Sequence, residues 1–252
     1  MNTLNTQDII DLAKKAGDAI MEIYDKDFAV YDKSDASPLT EADLGAHRIL
    51  VDGLERMTNY PVLSEESSEE IKKERLNWNE YWLIDPLDGT KEFVKKNGEF
   101  TVNIALIQHG KPTFGVVYAP ALKTLYVGDI HQGAYKQEDG KDAEKITVRA
   151  KPTQTSDYVI VGSRSHQSDE FKAFIQDYPD ADIVSMGSSL KLCLVAEGKA
   201  DIYPRLGLTC EWDTAAAHAV VEAAGGEVLH AETSQPLQYN KENLLNPFFI
   251  VK

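Results

Sequence analysis

Apolar residues recur every three or four positions near the start of the chain. Ile9, Leu12, Ala13, Ala16, Ile20 and Ile23 share one helical face, predicting an amphipathic helix from Thr6, as N-cap, to about Lys26. The polar stretch 31–38 predicts a loop or hairpin. A second helix is expected from Thr40, again as cap, to about Met57. Leu44, His47, Val51 and Leu54 form its inner stripe, and Asp43 falls in its first turn, near the positive end of the helix dipole. Residues 61–64 read as a short strand leading to Glu65-Glu66, and the charged stretch 67–79 as an exposed insertion or short helix. The period then changes. The β-rich runs 101–108, 113–118 and 124–130 are separated by turn residues, which predicts an antiparallel meander. Residues 133–135 and 146–148 add edge strands.

Past residue 150 strands and helices alternate. Strands are expected at 158–161, 183–185, 200–204, 226–229 and 248–251. Helices are expected at 168–178, from Ser188 as cap to about Glu197, and from Asp213 as cap over 214–224, with Gly225-Gly226 closing the last. The result is an α+β lobe over 1–150 and an α/β lobe over 151–252. No linker composition separates them, so they should pack closely as one catalytic unit.

The 252 residues are 42% hydrophobic and 27% charged, the make-up of a globular protein. No apolar run reaches the roughly 18–20 residues of a membrane span, and no signal peptide is apparent at the N-terminus. Cys193 and Cys210 lack metal-type spacing and read as reduced thiols of a cytoplasmic protein. A net charge of −15 argues against a nucleic-acid polymer or an anionic membrane as main partner. It would also repel an anionic substrate, unless divalent cations compensate locally.

The candidate chemistry centres on Trp82-Leu83-Ile84-Asp85-Pro86-Leu87-Asp88-Gly89-Thr90. The apolar run should end as a strand at Pro86, which cannot extend a central ladder. Asp85 and Asp88 then flank a tight loop, Gly89 permits a positive φ, and Thr90 opens a helical turn. Carboxylates and carbonyls suit Mg²⁺, and helix N-terminal amides suit a phosphate. Taken alone this segment is equally a turn, Asp43 and Asp213 are equally caps, and Glu65-Glu66 equally surface residues. Together they supply oxygen ligands for two or three Mg²⁺ ions. The six histidines form no motif, and His47 and His218 read as packed or exposed.

Asp85-Pro86-Leu87-Asp88-Gly89-Thr90, Trp212-Asp213-Thr214-Ala215-Ala216-Ala217 and Glu65-Glu66, twenty residues before Asp85, resemble the inositol monophosphatase superfamily of Mg²⁺-dependent, Li⁺-sensitive phosphomonoesterases. The likeness spans nearly the whole chain. It implies the layered α-β-α-β-α sandwich of the inositol monophosphatase and fructose-1,6-bisphosphatase type. Residues 37–43, 187–193 and 200–205 resemble one branch, the 3'(2'),5'-bisphosphate nucleotidases. These remove the 3'-phosphate of adenosine 3',5'-bisphosphate, a by-product of sulfate assimilation.

The resemblance implies that Glu65, Asp85 and the Leu87 carbonyl hold one Mg²⁺, and Asp85, Asp88 and Asp213 a second. A third, weaker ion is implied near Glu65, with Glu66 just outside the ligand set or exchanged with Glu65. The implied catalytic residues are Asp43, Thr90 and Glu65, with Asp43 and Thr90 as a hydrogen-bonded pair that takes a proton from the attacking water. Glu65, Leu87, Asp88, Gly89, Thr90 and Asp213 would surround the phosphate. Ser188, Lys191 and Arg205 would meet the nucleotide, Ser188 and Lys191 from one helix face. Water attack is implied to be direct, with a water near Asp213 protonating the leaving oxygen. The resemblance implies a small phosphorylated nucleotide as partner, a monomer or homodimer, and a cytoplasmic enzyme, with peripheral binding at the inner membrane's cytoplasmic face attributed to relatives. Inositol monophosphate or fructose 1,6-bisphosphate as substrate, and a non-catalytic metal-binding regulator, are the alternatives.

Overall fold

The computed structural model describes residues 5–26, 38–162 and 168–252. The first helix, α1 (Thr6–Tyr24), buries Ile9, Leu12, Ala13, Ala16 and Ile20 on one face. Its cap is Asn5, not Thr6: Asn5 Oδ1 accepts from the Gln7 amide at 3.2 Å. The second helix, α2 (Pro38–Met57), starts two residues before the expected Thr40. Proline's fixed φ suits the first helical position. Asp43 therefore lies beyond the first turn. The buried stripe of α2 is Ala42, Ala46, Leu50 and Leu54, with Leu44, His47 and Val51 half-buried at its margin. Of the loop or hairpin expected over 31–38, residues 31–37 lie outside the described residues and Pro38 belongs to α2.

A seven-stranded sheet follows, in the order β1 (Val62–Ser64), β2 (Glu80–Asp88), β3 (Thr101–Gln108), β4 (Lys111–Ala119), β5 (Thr124–Asp129), β6 (Gly133–Glu138) and β7 (Glu144–Ile146). Only the β1–β2 pair is parallel. Short helices α3 (Glu69–Glu74) and α4 (Thr90–Val94) flank β2, and a 3₁₀ turn (Arg75–Asn77) follows α3. The stretch 67–79 is not wholly exposed, because Arg75 is 2% exposed.

Side chains alternate along β2 between two cores. Trp82 and Ile84 pack with α1 and α2, whereas Tyr81 and Leu83 face the opposite side. That side holds α6 (Leu190–Ala196) and α7 (Ala215–Ala223). Two glycines let α7 approach the sheet closely: a Cβ on Gly115 would lie 2.2 Å from Ala216 O, and one on Gly128 2.4 Å from Val220 Cα.

Beyond α6 and α7 lie strand pairs β8 (Val159–Gly162) with β9 (Asp182–Ser185), and the sheet β10 (Tyr203–Arg205), β12 (Phe249–Val251), β11 (Val228–His230). An Ile160–Ile202 bridge joins the two groups. The outer layer is α5 (Asp169–Ile175), shorter than the helix expected over 168–178, capped by Ser168 and packed through Phe171 on Ile160 and Ile202. The layers thus run α-β-α-β-α. Among the described residues no helix is long and apolar enough to cross a membrane.

Candidate metal centre

The site begins at an irregularity in β2. The strand does not stop at Pro86, as expected, but runs on to Asp88. Pairing with β1 ends at Ile84, so beyond it one edge of β2 is free of the ladder. Against β3, Asp85 pairs with Asn103 and Asp88 with Thr101, leaving one extra residue in β2. Such a bulge tolerates a proline and re-aims side chains. Asp85 Oδ1 accepts from the Leu87 amide at 3.1 Å, which tightens the turn. Gly89 follows in left-handed conformation, φ 94°, and α4 begins at Thr90.

Glu65 arrives from the neighbouring strand. Its amide donates to Ile84 O at 3.2 Å, extending the β1–β2 pairing alongside Asp85. Asp213 comes from the opposite layer. It does not cap α7; Thr214 occupies that position. Instead Asp213 Oδ2 accepts from the Cys210 amide at 2.8 Å, locking the turn before α7. Asp85, Asp88 and Asp213 each present a carboxylate oxygen within 4.8 Å of the others.

Asp85 is 1% exposed. Burial, then Asp88, Glu65 and Asp213, holds its carboxyl well above the usual carboxylate range. Burial and Asp213 push Asp88 up to about 7, against the opposing pull of Lys191 and the Ser189 amide. Burial, Asp213 and Glu66 push Glu65 to about 7. Burial, Glu66 and Glu65 push Asp43 to about 8. Asp213 is raised by burial and held back by the Cys210 amide, Arg205 and Lys191. Carboxyls so crowded cannot all ionise near neutral pH without a compensating cation. Their donors are oxygens, the set that suits Mg²⁺.

Glu66 and Asp43 form a second carboxyl contact beside Glu65. Among the described residues no hydrogen bond joins Asp43 to Thr90, the expected pair. Asp43 Oδ1 is buried without a partner. The Asp43 carboxyl lies against Glu66 instead. His47 Nδ1 lies 2.9 Å from Ser64 Oγ, beside β1.

Behind Asp88 lies a polar group that sequence reasoning missed. Asp88 Oδ2 accepts from the Ser189 amide at 2.6 Å. Ser189 Oγ donates to Asn103 Oδ1 at 2.8 Å and lies 2.9 Å from Thr101 Oγ1. The one available signal is that Thr101 and Asn103 share a face of an otherwise apolar strand. Ser189, not Ser188, is the cap residue of α6. Ser188 instead adopts φ 45°, its hydroxyl buried and unpartnered. Its carbonyl accepts from Lys191 Nζ at 3.0 Å. Lys191 and Arg205 line a pocket of about 170 Å³ with Phe171, Tyr203 and Pro204. Arg205 Nη2 donates to Leu208 O at 2.9 Å, and its Nε is buried without a partner.

The sequence profile of the inositol monophosphatase family matches residues 4–247, and the chain belongs to that family. Among curated relatives, the 3'(2'),5'-bisphosphate nucleotidase CysQ of Escherichia coli strain K12 is 50% identical over 248 residues, covering 96% of this chain and 97% of that protein. The crystal structure of CysQ from Bacteroides thetaiotaomicron superposes with a TM-score of 0.87 at 45% identity, covering 98% of this chain and 96% of that one. Inositol monophosphatase-II from Staphylococcus aureus MSSA476 shares the fold at 21% identity, with a TM-score of 0.78 over 97% and 87% of the two chains.

Proposed function

We propose that this chain is a Mg²⁺-dependent phosphomonoesterase that hydrolyses the 3'-phosphate of adenosine 3',5'-bisphosphate, giving AMP and phosphate. The observation that carries the reading is the convergence of Asp85, Asp88 and Asp213 from two layers, with oxygens within 4.8 Å of one another. Similarity to proteins named 3'(2'),5'-bisphosphate nucleotidase supports the substrate. In this reading the lobes 1–150 and 151–252 form one catalytic unit, each supplying part of the cluster.

Glu65, Asp85 and the Leu87 carbonyl would hold one ion, Asp85, Asp88 and Asp213 a second, and Glu65 a third, weaker one. Bound Mg²⁺ supplies charge neutralisation for a phosphate dianion and lowers the pKa of water. The chain's own groups do the rest. The Gly89 and Thr90 amides at the start of α4 orient the phosphate oxygens. Thr90 takes part in removing the proton from the attacking water and passes it towards Asp43. The buried, unpartnered Asp43 Oδ1 is an acceptor suited to that step. Lys191 and Arg205 offer cations beside the cluster for the nucleotide's second phosphate, and Ser188 a free hydroxyl.

Chelation tests the reading. Stripping with EDTA should abolish phosphate release from the nucleotide, and Mg²⁺ should restore it. Activity that survives complete chelation would contradict it.

A further inference from the structure

A largely buried polar assembly stands behind the carboxylate cluster. Glu211, two residues before Asp213, is 0% exposed. Its carboxylate accepts from the Asn240 amide at 2.8 Å, the Lys241 amide at 3.1 Å and Lys241 Nζ at 2.5 Å. On the other side of Asp213, the Thr214 hydroxyl lies 3.1 Å from the Tyr239 hydroxyl. That hydroxyl also meets the ring of buried His218, at 2.9 Å from Nδ1. The turn bearing Asp213 is thus gripped on both flanks by three consecutive residues, 239–241.

The same three residues reach the other half of the cluster. Asn240 Oδ1 accepts from Arg75 Nη1 at 2.8 Å. Asn240 Nδ2 donates to the carbonyls of Arg75 and Trp78 at 3.1 and 3.0 Å. Arg75 Nη2 returns the contact, donating to Lys241 O at 2.7 Å. Two residues past Trp78 begins β2, which carries Asp85 and Asp88. Asn240 holds φ 60°, a left-handed conformation that a side chain adopts at a cost. Burying Glu211 and Arg75 is also costly unless every charge is matched, as it is here for Glu211. A turn that merely connected two strands would need neither.

We propose that residues 239–241 form a strap that sets the position of Asp213 relative to Asp85 and Asp88, and through it the affinity of the cluster for a divalent cation. The inference rests on the cation reading given above. Tyr239, Asn240 and Lys241 are positioning residues, acting through Glu211 and Thr214, the neighbours of Asp213. Outer partners of this kind set ligand geometry, and their loss costs about 10–100-fold in metal affinity.

The test uses the full chain, metal-stripped, with Mn²⁺ as probe and free Mn²⁺ read by electron spin resonance. Tyr239→Phe removes one oxygen and leaves the ring in its apolar surroundings. Lys241→Met removes the ion pair with buried Glu211. Leu12→Ala, in the opposite core, is the control for lost stability alone. The strap predicts Mn²⁺ binding about tenfold weaker in Tyr239→Phe and in Lys241→Met, and unchanged in Leu12→Ala. The Mg²⁺ concentration for half-maximal activity should rise in parallel, with kcat at saturating Mg²⁺ within about twofold of the parent. Parent-like Mn²⁺ binding in folded Tyr239→Phe overturns the strap, as does equal weakening in Leu12→Ala. A parent chain that binds no Mn²⁺ overturns the cation reading, and the strap with it.

Discussion

Asp88 joins two jobs in one carboxyl. One oxygen accepts from the Ser189 amide, fixing the start of α6, and the group also faces Asp213 and Asp85. Asp88→Asn keeps an oxygen for Ser189 while removing a charge from the cluster. Activity should fall by about 10²–10³-fold or more, the scale of a lost metal contribution. The melting temperature without metal should stay equal or rise slightly, since repulsion is relieved. Near-parent turnover in that variant would contradict the ligand assignment. The same repulsion gives a pH signature. Asp43 at about 8, Glu65 and Asp88 at about 7, and the raised Asp85 and Asp213 all bind protons more tightly folded than unfolded. The folded state therefore holds more protons between about pH 4 and 8, and stability without metal falls as pH rises through that window. Mg²⁺ favours the ionised forms, so its stabilising shift should grow with pH. Melting curves in EDTA and in Mg²⁺ from pH 5 to 8.5 check this; a shift independent of pH would contradict it. At this scale the acidic residues were legible in the sequence because acid, proline and glycine interrupt apolar runs. Arg75, Glu211 and Tyr239 were not, because a single buried polar residue makes no periodic pattern. Arg75 even lies in the most charged stretch of the chain.

At the scale of elements, α7 is the part most dependent on close packing. Its small-residue face sits on β4 and β5 at Gly115 and Gly128, and the turn before it carries Asp213. Gly115→Ala must push the Ala216 backbone outward, for a stability loss of about 1–3 kcal/mol in urea unfolding. Half-saturation by Mg²⁺ should also rise, because Asp213 moves with the helix. Unaltered stability would show that α7 sits farther from the sheet. Strand and helix positions were legible wherever apolar periodicity was strong, above all in β3, β4 and β5. Element ends were less so, and for local reasons. Asn5 competes with Thr6, and Pro38 with Thr40, for the start of a helix. Ser189 displaces Ser188, and Thr214 displaces Asp213, as the cap residue. Pro86 stays inside β2 because the strand there has a bulge and one free edge, neither of which a sequence displays.

Across the whole molecule, two cores back the seven-stranded sheet, and the carboxylate cluster forms where the bulge of β2 meets the turn before α7. Long-range convergence of this kind is what spacing along a chain cannot express. Asp85 and Asp213 lie 128 positions apart in a sequence whose net charge of −15 favours dispersing acids, not gathering them. Lys72 faces Glu65, and Lys191 and Arg205 face Asp213. Lys191 and Arg205 stand next to the cluster, around a pocket of about 170 Å³. A substrate with one phosphate at the cluster and another anionic group at these residues fits that arrangement better than a singly phosphorylated polyol. The direct measurement is phosphate release from adenosine 3',5'-bisphosphate, inositol 1-phosphate and fructose 1,6-bisphosphate, each with Mg²⁺ and again with Li⁺ added. Strong preference for the nucleotide is expected, and loss of release with Li⁺. Preference for either sugar phosphate would contradict the roles given to Ser188, Lys191 and Arg205, and no release from any of the three would contradict the enzyme itself.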